Sequence, residues 1–182
     1  MKKLLLNVVM LLSVFAANAQ TDVTKFLGIP VDGTKTEMLS KLREKGFRTS
    51  YEMGEDFLEG IFNGEEVYVA PVMNGNKVRR VAVMYKNPLD ETQIKLHFNR
   101  LVNQFNNNGK YQAVSGDQKI SEDERISYQM TVCKKQYDAG FIQLPYNPNK
   151  IVTVLISQQG YNKYHILIFY DNGYNTANGE DL

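Results

Sequence analysis

One phrase occurs twice, and it constrains the fold more than any other feature of the chain. Pro30-Val31-Asp32-Gly33-Thr34-Lys35 and Pro88-Leu89-Asp90-Glu91-Thr92-Gln93 both read Pro, aliphatic, Asp, any residue, Thr, long polar. Each phrase opens a helical pattern, and each helical pattern is followed by strand patterns. A chain built this way reads as two diverged copies of one helix-then-sheet unit.

The local chemistry supports a helix after each phrase. Thr34 and Glu37 stand at capping-box spacing, with Asp32 as a competing N-cap. Met38, Leu39 and Leu42 form an apolar stripe, while Lys41, Arg43, Glu44 and Lys45 form the solvated side. Gly46 stops this helix and Phe47 follows. In the second copy Asp90 is the N-cap and Gln93 stands three residues on. Ile94, Phe98, Leu101, Val102 and Phe105 then share one helical face over a span of about Glu91 to Asn107. Gly109-Lys110-Tyr111 repeats the Gly-then-aromatic ending.

Strand patterns fill the rest. A short strand is expected at Phe47 to Tyr51. Phe57 to Phe62 and Val67 to Ala70 flank Asn63-Gly64, a strong hairpin signal. Pro71 is expected to end the second of these strands or to mark an edge. Asn74-Gly75-Asn76 is a second turn. Val78 to Tyr85 is apolar on both faces, which places it near the middle of the sheet. In the second unit Tyr111 to Val114 reads as a short strand and Ser115 to Glu124 as a loop. Ile126, Tyr128, Met130 and Val132 alternate with polar residues and read as a strand. Cys133 to Gln136 reads as the turn matching Asn63 to Glu66. Tyr137 to Leu144, Ile151 to Ile156 and Tyr164 to Tyr170 complete the set. Ile166 to Asn172 echoes Val81 to Asn87.

The expected fold is therefore α+β. Two tandem helix-then-antiparallel-meander units, at 20–87 and 88–172, would join into one curved sheet with both helices on one face. The other face would be partly open. Thr21 to Lys25 reads as a polar, flexible approach, and 173–182 as a flexible tail.

This order of elements resembles the β-lactamase-inhibitor-protein-like (BLIP-like) fold. The residues that carry the likeness are Ile29 to Lys35, the Gly-aromatic helix endings and the antiparallel meanders, from Phe26 to Asn172. The outer-membrane assembly lipoproteins of the SmpA/BamE type are related and have one such unit. Ala17-Asn18-Ala19-Gln20 is similar to the signal endings of secreted Bacteroides-type proteins. The resemblance implies the tandem α+β arrangement and carries no functional residue across.

Residues 1–19 read as a cleaved signal peptide. Lys2 and Lys3 form the basic start, Leu4 to Phe15 the apolar run, and Ala17-Asn18-Ala19 the cleavage site. The apolar run falls short of the ~20 residues that span a bilayer. Periplasmic or secreted localisation follows. Cys133 is the only cysteine, so no lipid anchor is expected after the signal. Removing Lys2 and Lys3 from 21 basic residues leaves 19 against 20 acidic. That balance gives no footprint for nucleic acid or for an anionic membrane surface.

Nothing in the chain carries a catalytic or cofactor motif. His97 and His165 have no local partner at metal-ligand spacing. Cys133 beside Lys134 and Lys135 is a candidate thiolate only if the fold supplies a base. Glu52, Glu55, Asp56 and Glu59, and Glu122, Asp123 and Glu124, are the acid-rich stretches, which more often solvate loops than face each other across a substrate. No cofactor and no metal is expected, and the chain reads as a non-enzyme. Tyrosine supplies the candidate binding surface: Tyr68, Tyr128, Tyr137 and Tyr164 on expected strands, with Tyr146 and Tyr161 in loops. Core packing and cross-strand pairing are the ordinary use of strand tyrosines. The reading is a binding module that contacts an unknown protein partner through the exposed sheet face. A small-ligand or glycan carrier is the alternative, and an enzyme the third.

Overall fold

The structure is a computed structural model and describes residues 22–116 and 118–176. The expected signal peptide and most of the expected tail lie outside the described residues.

The protein is mixed α+β, dominated by one eight-stranded antiparallel sheet. A two-stranded hairpin, β1 (Lys25–Phe26) and β2 (Ile29–Pro30), opens the chain. Helix α1 (Lys35–Glu44) follows, then β3 (Arg48–Ser50), β4 (Gly54–Phe62), β5 (Glu65–Asn74) and β6 (Lys77–Tyr85). Helix α2 (Glu91–Asn106) leads to β7 (Tyr111–Ala113) and a short α3 (Ile126–Thr131). Strands β8 (Asp138–Gln143), β9 (Lys150–Gln158) and β10 (Tyr164–Asn172) end the sheet, and Gly173–Asn175 forms one 3-10 turn. The strand order is β3-β4-β5-β6-β10-β9-β8-β7. The seam at the centre is β6 against β10, with Ile168 opposite Val83.

Local chemistry sets the ends of the elements. Both long helices begin with a complete capping box, Thr34 with Glu37 and Asp90 with Gln93. Each box satisfies backbone N–H groups that have no partner within the helix. The β4–β5 turn needs φ > 0 at both central residues. Asn63 and Gly64 supply it, at 52° and 82°, the twist that a two-residue hairpin favours.

Packing follows the alternation of the strands. Leu58, Val69, Val83, Ile168 and Val154 stand at paired positions on neighbouring strands. All five are buried. They share one apolar cluster with Met38, Leu39 and Leu42 of α1 and with Ile94, Phe98, Leu101, Val102 and Phe105 of α2. Helix α1 packs on β4, β5 and β6, and α2 on β7, β9 and β10.

Several expectations change. Ile126 to Val132 is not a strand. Gln129 N donates to Arg125 O and Val132 N to Tyr128 O, which is helical bonding. The apolar alternation hides a spacing of four. Ile126 is buried and Met130 packs against the core, while Tyr128 and Val132 face solvent. Cys133 to Gln136 consequently leaves a helix and joins no hairpin, and each half of the chain supplies four strands to the eight-stranded sheet. Pro71 does not end β5, which continues to Asn74. It pairs with Val81 on β6, beyond the last β4 pairing at Leu58–Val69. A residue without an N–H is tolerated where one side of the strand is an edge. In the N-terminal approach, Val23 and Thr24 are buried, and the Thr24 hydroxyl donates to Asp171 O. The start of the expected tail is folded: Asn175 Nδ2 donates to Val78 O at 2.8 Å.

Candidate functional site

The residues that alternate with the core positions form the opposite face of the sheet. The register orders them in rows across the strands. One row runs Glu59, Tyr68, Met84, Leu167, Leu155, Asp138. The next runs Ala70, Ala82, Phe169, Thr153, Gly140. A third runs Val72, Arg80, Asp171, Ile151, Ile142. Acidic residues end the first row, and aliphatic and aromatic side chains fill its middle. Met84, Ala82, Leu155, Leu167 and Phe169 are all half-buried. A solvated sheet face normally alternates to polar residues, so this central patch is unusual.

Charged pairs border the patch. Arg80 makes a two-point contact with Asp171, Nε to Oδ1 at 2.6 Å and Nη2 to Oδ2 at 3.0 Å. Its guanidinium lies 4.0 Å from the centre of the Phe169 ring. Lys86 reaches Glu59 at 3.1 Å and sits over the Tyr68 ring at 5.2 Å. The Tyr68 hydroxyl donates to Glu52, and this bond to a carboxylate pushes the tyrosine pKa up.

Two concavities lie elsewhere. A cleft of about 750 Å³ runs between the last turns of α2, the β1–β2 hairpin and the ends of β4 and β8. A shallower depression of about 600 Å³ lies at the start of α2, with Arg125, Ser127, Gln158 and Asn162 among its polar walls.

The six candidate tyrosines do not form one site. Tyr68 is on the open face but is only 5% exposed. Tyr128 and Tyr161 are exposed and share the depression at the start of α2. Tyr146 is exposed in the loop after β8. Tyr137 is buried, and its hydroxyl donates to Glu124 Oε1 at 2.5 Å. Burial, then the bond to Glu124, holds its pKa far above the ordinary value. Tyr164 is fully buried in the core, and burial raises its hydroxyl too. The face residues that sequence reading missed are Leu155, Leu167 and Phe169. The signal was present, since β9 carries Ile151 and Leu155, and β10 Leu167 and Phe169, at positions that alternate with the core.

Several of the other candidates for chemistry have ordinary partners. The His165 Nδ1–H donates to Tyr85 O at 2.8 Å. His97 sits beside Arg100, 3.2 Å from its Nη2, and 3.5 Å from Glu65. Cys133 is an exposed thiol just after α3. Asp56 pairs with Lys35, Glu59 with Lys86, and Glu124 with Lys135. Among the described residues, no group of three His, Cys, Asp or Glu side chains is placed to hold a metal ion. No helix among them is long and apolar enough to cross a membrane. No family model, curated protein or solved structure matches this chain.

Proposed function

We propose that the protein is a secreted or periplasmic binding module without enzymatic activity, acting by protein–protein contact through the open sheet face. The observation that carries this reading is the half-buried apolar patch of Met84, Leu155, Leu167, Phe169 and Ala82 at the centre of the sheet. Contiguous exposed apolar surface rimmed by charge marks interaction sites. Here the rim is Glu59–Lys86 on one side and Arg80–Asp171 on the other.

We infer further that the two halves of the chain are tandem copies, arranged as in the BLIP-like fold. The strand order supports this, because each half contributes four strands to the large sheet and the halves meet at their last strands. The matching capping boxes support it as well. In this arrangement both helices cover one face, and the duplication leaves the other as a single broad surface. Localisation outside the cytoplasm rests on the leader pattern at residues 1–19.

The test is affinity capture from an envelope and secreted fraction, with the parent protein and Phe169→Asp in parallel. Phe169 is half-buried on the face, so the variant alters the patch without entering the core. A protein recovered in stoichiometric amount by the parent and lost with Phe169→Asp supports the reading. Equal recovery by both, or retention of glycans alone, overturns it.

A further inference from the structure

The cleft beside the end of α2 has a chemical character of its own. Its walls are mixed, and their apolar part comes from Leu101 and Phe105 of α2, Phe62 of β4 and the ring of Tyr111 of β7. Three large aliphatic side chains also line it while facing solvent: Leu27 (41% exposed), Ile61 (66%) and Leu144 (38%). Such residues cost least when a ligand covers them.

The charge of the cleft is one-sided. Lys25, Lys110 and Lys150 line it against one carboxylate, Asp22. Lys150 holds Asp22 at 2.8 Å and is itself 1% exposed, so this pair cancels within the wall. Lys25 and Lys110 have no carboxylate within ion-pair distance among the described residues. Both are anchored at the same place. The Gln143 side chain accepts from Lys25 N at 2.7 Å and donates to Lys25 O at 3.0 Å. Leu144 N donates to Lys110 O at 2.8 Å. The backbones of the two uncompensated lysines therefore flank the Gln143–Leu144 end of β8, and both residues line the cleft. Asn63 and Gln104 also line it, and Asn63 donates to Gln104 at 2.8 Å, which ties the β4–β5 turn to α2. The walls are held before any ligand arrives, which lowers the cost of binding.

We propose that this cleft binds a small amphiphilic carboxylate, its head group between Lys25 and Lys110 and its apolar tail along Leu101, Phe105 and Leu27. The volume lies within the range of small-molecule sites. A cationic amphiphile meets two lysines and no free acid. The site is separate from the open sheet face, so it stands or falls independently of the partner surface.

Calorimetric titration of the purified protein with monomeric dodecanoate tests the proposal. One-to-one saturable binding is expected, with dodecyltrimethylammonium about 10-fold weaker because its head group meets two exposed like charges. The double variant Lys25→Glu/Lys110→Glu should weaken dodecanoate about 10-fold on the same grounds. Leu27→Asp should weaken it too, and thermal melts establish that each variant is folded. The milder Lys25→Gln/Lys110→Gln replaces the charge reversal if that variant does not fold. Phe169→Asp should bind dodecanoate unchanged. Equal affinity for the cationic amphiphile, an unaffected lysine variant, or heat that never saturates overturns the site. Loss of binding in Phe169→Asp overturns it by moving the ligand to the open face. Sedimentation with phosphatidylglycerol vesicles in the absence of any response to dodecanoate overturns it as well, by assigning the lysines to a lipid surface.

Discussion

Arg80 and Asp171 face each other across the central strand pair, one from each half of the chain, and meet through two parallel hydrogen bonds. The side chains are 25% and 18% exposed, and Phe169 lies under the guanidinium. A pair this shielded keeps more of its attraction than one in open water. Asp171→Asn should cost about 1–2 kcal/mol, since a charge-assisted bond is lost and Arg80 keeps its charge. Arg80→Lys should cost a similar amount, because an ammonium cannot make the two-point contact or stack flat on the ring. Urea denaturation of the singles and the double variant checks this. A coupling near zero would mean that the seam is held by packing alone.

Gly60 carries a tighter constraint. A Cβ built there would lie 2.7 Å from Cδ1 of Phe47. Phe47 is the aromatic residue after the Gly46 stop, and its ring is buried over the missing side chain. Gly60→Ala should displace the ring and destabilise by about 1–3 kcal/mol, the usual cost of overpacking. Gly60→Ala combined with Phe47→Leu should recover part of the loss. Thermal melts of both variants settle the matter, and an unchanged midpoint for Gly60→Ala would refute it.

The two capping boxes should be worth comparable amounts. Thr34→Ala and Asp90→Ala each remove the side chain that accepts from the N3 backbone N–H. Each should cost about 1 kcal/mol. Thr34→Ser and Asp90→Asn should keep most of that stability. Loss of stability equal to the Ala variants would indicate that the contact is not capping.

These caps were readable in the sequence because a cap depends on residues three apart. The same holds for the Asn63-Gly64 hairpin and for the apolar face of α2. Reading failed where one pattern served two periods. Ile126 and Met130 lie four apart, and a segment alternating every second residue contains that spacing as well. The segment is also short, so tertiary contacts decide its state. The tyrosines failed for another reason. Alternation separates the two faces of a strand but does not say which of them is covered, so Tyr164 and Tyr68 looked equivalent. The cleft had no local signal. It is made by Lys25 with Gln143 and by Asp22 with Lys150, pairs 118 and 128 residues apart.

His97 makes part of the stability depend on pH. Its ring is packed edge-on against Tyr85 at 6.1 Å and stands beside Arg100. Burial, then the charge of Arg100, holds its pKa below the ordinary value of 6.5, and Glu65 opposes them. The sign follows from proton binding. Between the lowered folded value and about 6.5, the unfolded chain takes up a proton that the folded chain refuses. Stability from the neutral ring is therefore complete above about 6.5, falls as the pH drops below it, and levels off under the folded pKa. His97→Gln removes this dependence. The difference in unfolding free energy between parent and variant should be flat at neutral pH and should then shift in the variant's favour as acid is added. Taking the difference cancels the contribution of every group the two proteins share. Denaturation curves at intervals between about pH 7.5 and pH 5 check it. Parallel curves over that range would show that the ring titrates as it does in the unfolded chain. A shift toward the parent would show that Glu65 outweighs burial and Arg100.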